Sequence, residues 1–161
     1  MLVLLSALVV AASPASGARV KTFSVNAPLT IDLPDGWRVV PPARGWRFKA
    51  VAPDFSAWTF ISARPDTVAF NSYAASFVAF EKQATSSLGP HVTFRTRGAT
   101  VGGERAVQVY AAGRGTLTEY FYGFVHHGVD YVLAFATPAA HAKRSKALFD
   151  AAVRSVRFKN P

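Results

Sequence analysis

The chain of 161 residues contains no cysteine. Disulfide frameworks, cysteine-ligated zinc, thiol catalysis and lipid attachment to cysteine are therefore excluded, a lipoprotein anchor among them. Acidic side chains are scarce: 9 Asp and Glu stand against 18 Lys and Arg, a formal net charge of +9. No repeat, low-complexity block or linker divides residues 19–161, and this length fits one domain. Catalytic signatures are also missing. Gly113-Arg114-Gly115 is not followed by the glycine of a dinucleotide loop, and no Gly-Lys-Ser/Thr, Gly-x-Ser-x-Gly or His-Glu-x-x-His occurs. No cofactor is expected. Half of the residues are hydrophobic, too many for a disordered basic tail.

Residues 1–18 carry no charged side chain. Leu2 to Ala12 is an unbroken run of apolar and small residues, followed by Ser13, Pro14 and small residues to Ala18. This matches a secretory signal peptide, without the usual basic residues ahead of the run. It is too short for a membrane span, which takes about 20 apolar residues. Ser16 and Ala18 suit the cleavage site, so the mature chain is expected to start at Arg19; a buried N-terminal helix is the structural alternative. A domain of about 150 residues buries about 68–70% of its unfolded surface and needs no covalent staple. All nine net charges lie in residues 19–161. Outside the cytoplasm, a basic domain meets phospholipid headgroups, acidic envelope polymers or acidic proteins rather than nucleic acid.

Alternation at Phe23 and Val25, and at Leu29, Ile31 and Leu33, reads as strands, with a Pro34-Asp35-Gly36 turn behind them. Residues 46–51 and 57–63 read as two more. Tyr73, Phe77, Phe80 or Glu81, Ala84 and Leu88 recur at helical spacing, so 71–88 is a predicted amphipathic helix, with Asn71 as N-cap and Gly89-Pro90 as stop. Strands are expected at Val92–Phe94, 104–112, 116–125 and 130–136. The third of these is apolar on both faces and so interior to its sheet. A second helix from Pro138 to about Arg154 packs through Ala140, Ala147, Leu148, Ala151 and Ala152, before a short strand at Val156–Phe158. The class is α+β around an antiparallel sheet.

These features, in this order, resemble the PsbP-like fold. That fold is shared by the photosystem II extrinsic subunit, a Ran-binding nuclear import factor and exported bacterial proteins of the DcrB kind. The matching segments are Phe23…Ile31-Asp32-Leu33-Pro34-Asp35-Gly36-Trp37, the helix at 71–88, Val101-Gly102-Gly103-Glu104-Arg105-Ala106, Gly128 to Ala136, and Ser155-Val156-Arg157-Phe158. They span nearly all of 22–158. The resemblance implies an α/β/α sandwich with a central antiparallel sheet of about six to eight strands and two main helices. It also implies a non-enzymatic role in docking or assembly.

Two groups of residues carry candidate chemistry. Arg38, Arg44, Arg47 and Lys49 lie beside Trp37, Trp46 and Phe48, with no acidic residue between 37 and 49. On a strand from 46, Trp46 and Phe48 face one way and Arg47 and Lys49 the other. The structural reading places the aromatics in the core and the cations in solvent. The functional reading is a docking surface of Arg38, Arg44, Trp46, Arg47 and Lys49 for an acidic protein or anionic envelope component, because arginine forks match carboxylates and phosphates. Further basic stripes are Arg95 and Arg97, with Glu104 or Glu119 as cross-strand partners, and Lys143, Arg144 and Lys146 on the last helix. The second group is His126, His127 and Asp130, side chains able to bind zinc or copper if the chain turns to bring them together. No metal is assigned there; a small hydrolase or metal-binding protein on these residues is the alternative function. A small-ligand carrier, using the aromatic interior of strand 116–125, is the third.

Overall fold

The computed structural model describes residues 19–25, 28–65, 68–89, 91–113 and 116–159. The expected leader at 1–18, and Pro90, Arg114 and Gly115 of the expected turns, lie outside them. Among the described residues, ten strands and two α-helices follow in the order β1 (Val20–Val25), β2 (Leu29–Pro34), β3 (Arg38–Val39), β4 (Phe48–Val51), β5 (Trp58–Pro65), α1 (Phe70–Thr85), β6 (Thr93–Val101), β7 (Glu104–Ala112), β8 (Leu117–His126), β9 (Val129–Pro138), α2 (Ala142–Ser155) and β10 (Arg157–Phe158).

Seven strands form one antiparallel sheet in the order β3-β4-β5-β9-β8-β7-β6. The run β6 to β9 is a meander. The β6–β7 turn uses Gly102 and Gly103 at φ 58° and 87°, a conformation that glycine adopts without a side-chain clash. Strand β8 is interior, as its two apolar faces predict. Strands β1, β2 and β10 leave this sheet and make a second one, in the order β1-β2-β10. Sequence alternation identifies each strand but not this division, because β10 pairs with β2 across more than a hundred residues of chain.

Strand parity divides the large sheet into two faces. Tyr120, Tyr122, Phe124, Leu133, Phe135 and Ile61 share one face by register. There they are buried with the small sheet's Phe23, Val25, Leu29, Ile31 and Leu33 and with Phe149 of α2. Phe135 stacks on Phe149 at 4.7 Å and Phe124 on Tyr131 at 5.3 Å. Helix α1 contacts β7 and β8 on the opposite face, burying Tyr73 and Phe77 against Val109. Phe77 sits so close that a Cβ at Gly123 would lie 2.8 Å from its ring. The architecture is a mixed α+β sandwich with a helix on each side.

Both helices depart in detail from their expected faces. Helix α1 starts one residue before Asn71, after Ala69, and Asn71 is an exposed first-turn residue. It buries Tyr73, Phe77, Glu81 and Thr85, leaving Phe80 and Ala84 outside. A 3-10 turn at Ala139–His141 delays α2, which buries Ser145, Phe149, Ala152 and Val153, while Ala140, Ala147 and Ala151 are exposed. Buried Ser145 hydrogen-bonds with the Thr137 hydroxyl at 3.1 Å, so its polarity is satisfied.

Candidate functional site

The segment between β3 and β4 is shaped by its breakers. After Pro41-Pro42 the chain turns at 43–46: Trp46 N–H donates to the Ala43 carbonyl at 3.1 Å, and Gly45 takes φ 90°, as the third residue of a type II turn requires. The turn ends the alternation expected from residue 46. Strand β4 begins at Phe48, which packs on Phe23 at 6.0 Å. Trp46 lies on Phe60 at 5.3 Å instead, and Lys49, opposite Phe60 in the ladder, sets its ammonium 5.3 Å from the same ring. Trp46 and Phe48 therefore do not share a face. Arg38, on the edge strand, holds its guanidinium 5.5 Å from the exposed Phe55 ring.

Arg38, Arg44 and Arg47 are exposed and Lys49 is half-buried. The ion pairs among the described residues are His126–Glu104, Arg144–Asp54, Lys146–Asp150 and Arg157–Asp32, so none engages these four cations. Arg95 and Arg97 do not meet their expected partners, and Glu104 pairs with His126 instead. Arg97 donates to Gln108, and Glu119 lies on the opposite face, across from Ala111 and Ala136. Arg95, Arg97 and Lys146 come together around a shallow depression of about 330 Å³ that also includes Tyr110 and Tyr120.

The histidine group divides. His126 Nδ1 is 2.8 Å from Glu104 Oε1, and its ring stacks on Phe158 at 3.6 Å, beside the filled core. His127, in the turn at φ 47°, sets its ring edge-on to His126 at 4.2 Å. Asp130 pairs with Val125 and belongs to the α1 face, whereas His126 belongs to the other. The three side chains do not converge. The aromatic interior of β8 is likewise occupied: Tyr120 meets Phe149 at 5.8 Å and Tyr122 meets Phe135 at 6.3 Å.

Open space lies on the α1 face. A cleft of about 410 Å³ runs beside α1, lined by Arg44 and Trp46 before β4, Ser62 and Arg64 of β5, Tyr73, Phe77, Phe80 and Glu81 of α1, and Asp130 and Val132 of β9. Arg44 and Trp46 are the expected site residues that reach it. Glu81 is only 4% exposed, and burial, reinforced by the charge of Glu119, pushes its carboxyl up to about 7. Glu119 is also raised by burial. It lines a smaller hollow of about 180 Å³ with Phe60, Phe121 and Trp46, the last shared with the cleft. Glu81 was visible in the sequence only as one of two residues that the helical period allowed on the inner face.

A large antiparallel sheet with one helix per face and a three-stranded side sheet defines a class, the α+β sandwich. Its particular form is the PsbP-like fold. Cyanobacterial PsbP from Synechocystis is similar, with a TM-score of 0.68 over 93% of this chain and 98% of that one at 12% identity. LpqN of Mycobacterium tuberculosis, described as involved in cell envelope biogenesis, has a TM-score of 0.54 over 88% of this chain and 91% of that one at 15% identity. A Bacteroides thetaiotaomicron protein scores 0.57 at 16% identity, over 87% of this chain and 48% of its own. At such identities the likeness is one of fold. No protein-family model matches the chain, and no curated protein matches it in sequence.

Proposed function

We propose that this chain is an exported, non-enzymatic accessory module that docks through the basic β3–β4 edge onto an acidic protein or anionic component of the cell envelope. One observation carries the reading. Arg38, Arg44, Arg47 and Lys49 have no ion-pair partner among the described residues, and Arg38 and Lys49 rest on aromatic rings. Cations supported this way keep their charge available to an incoming carboxylate or phosphate. The charge-free run at 1–18 supports export. The fold supports an accessory role by analogy with extrinsic subunits.

Affinity capture from the native envelope at low and high salt tests it, since exposed contacts are screened over about 8–10 Å near physiological ionic strength. The expected result is a component retained at low salt, released at high salt, and lost with Arg44→Glu combined with Arg47→Glu. Retention that ignores salt, or survives the double reversal, refutes the docking edge. N-terminal sequencing of the secreted protein, expected to begin at Arg19, tests export.

A further inference from the structure

The face of the large sheet that carries the core ends, at its β6 margin, in the depression of about 330 Å³, and none of the described residues lining it is acidic. Two cross-strand rows set its floor. Arg95, Tyr110 and Tyr120 lie opposite one another on β6, β7 and β8, and Arg97, Gln108 and Tyr122 make the next row on the same face. Same-face neighbours on a strand are about 6.5–7 Å apart, so the two arginines stand side by side. The Tyr110 and Tyr120 rings are 5.3 Å apart. Lys146 bounds the depression from α2, one turn before Phe149, which rests on Tyr120 at 5.8 Å. Burial pushes the Tyr122 phenol up to about 12, with Asp150, the ion-pair partner of Lys146, raising it further and Arg97 opposing. The same two charges act on Tyr120, so the β6 and α2 sides share one electrostatic neighbourhood.

A buried relay holds Arg97 in place. Its Nε–H donates to Gln108 Oε1, and the Gln108 amide donates to the Tyr122 hydroxyl at 2.6 Å. Gln108 is only 3% exposed. An apolar side chain would fill this position without a desolvation cost. The amide instead anchors the guanidinium through Nε and leaves its two terminal nitrogens, the pair that grips an oxyanion, turned to other partners. Among the described residues no ion pair engages Arg95 or Arg97, and Lys146 gives one of its three donors to Asp150. We propose that this depression binds a phosphate monoester, its terminal oxygens held by Arg95, Arg97 and Lys146 and its esterified group lying on Tyr110 and Tyr120. A carboxylate brings one charge and two oxygens, enough for a single fork. A phosphate monoester brings three terminal oxygens and about −1.5 to −2 charges at neutral pH, enough for two forks and an ammonium. The site does not rest on the docking edge: β3 and β6 are opposite edges of the seven-stranded sheet, about 29 Å apart at the usual strand spacing.

Phenyl phosphate, inorganic phosphate and benzoate are the probes. Calorimetric titration of the full chain near physiological ionic strength should rank them in that order, with about tenfold or more between phenyl phosphate and benzoate. Arg95→Gln and Arg97→Gln should each weaken phenyl phosphate by about tenfold while the unfolding midpoint holds, because both side chains are exposed. Arg97→Lys keeps the charge but loses the fork and the Nε–H that Gln108 holds, and should weaken binding by about threefold or more. A diffuse basic patch would not distinguish it from the wild type. The docking reversal, Arg44→Glu with Arg47→Glu, should leave this affinity within about twofold, since the two edges lie several screening lengths apart. Sedimentation with vesicles carrying phosphatidic acid identifies the source of the phosphate. Sedimentation that needs Arg97 and fails with phosphatidylglycerol assigns a lipid headgroup; its absence beside phenyl phosphate binding assigns a soluble ester. No binding of either phosphate, equal binding of benzoate and phenyl phosphate, or indifference to both Arg97→Gln and Arg97→Lys would overturn the proposal.

Discussion

The two faces of the large sheet are built to different ends. Under α2 and the small sheet, Tyr120, Tyr122, Phe124, Leu133, Phe135 and Phe149 interlock with Phe23, Ile31 and Phe48 into one continuous core. Under α1 the packed cluster is smaller, with Tyr73, Phe77 and Val109 flanked by half-buried side chains, and the helix leaves a cleft beside it. The buried carboxylate of Glu81 and the half-buried one of Glu119, each raised by burial, belong to this second face. The first face stabilises the domain. The second tolerates desolvated charge and open volume that a face devoted to stability would have filled.

This contrast can be broken by mutation, most forcefully on the filled face. Phe149→Ala should cost about 3–5 kcal/mol, since it removes a ring stacked on Phe135 and leaves a cavity in dense packing. Urea denaturation measures it, and a loss below about 1 kcal/mol would mean that this face is not the stabilising one. On the other face, removing a buried group should help. The carboxyl of Glu81 is raised to about 7 in the folded chain, above its unfolded value near 4.5. The native state therefore holds the extra proton between those values, and stability falls as pH rises through that window and then levels off. Glu81→Gln should raise stability by up to about 3 kcal/mol above pH 7, and the gain should fade below the unfolded value. Thermal unfolding at both ends of the range checks it; a gain independent of pH would implicate packing instead. Gly123→Ala, which drives a methyl into the Phe77 ring, should cost about 1–3 kcal/mol. The same denaturation series would show whether α1 can shift to relieve it. The smallest effect belongs to the docking edge. Arg44→Glu with Arg47→Glu should change stability by about 0.5 kcal/mol or less, because both side chains are exposed.

Much of this plan can be read from the chain, for local reasons. Leu29, Ile31 and Leu33 alternate, Pro34-Asp35-Gly36 punctuates, and the paired apolar faces of β8 announce an interior strand. Tyr73 and Phe77 set the helical period of α1. The candidate site is less legible. Arg44 and Trp46 are identifiable from composition, but their place in the cleft depends on the Gly45 turn, which breaks a strand pattern that would have paired Trp46 with Phe48. His126 and Asp130, four residues apart, suggest a cluster in one dimension, yet ladder register sends them to opposite faces.

Period and punctuation are properties of neighbouring residues, and these local signals suffice for the α+β class, most element positions and the concentration of cations at 38–49. The rotational phase of each helix is not local. A period of 3.6 residues leaves Phe80 and Glu81 both near the inner face of α1, and the choice falls to how the whole helix seats on β7 and β8. The small sheet is likewise decided at long range, when β10 returns to β2. The cleft beside α1 follows from the same cause: its lining comes from four separate parts of the chain, which only tertiary packing brings within reach of one another.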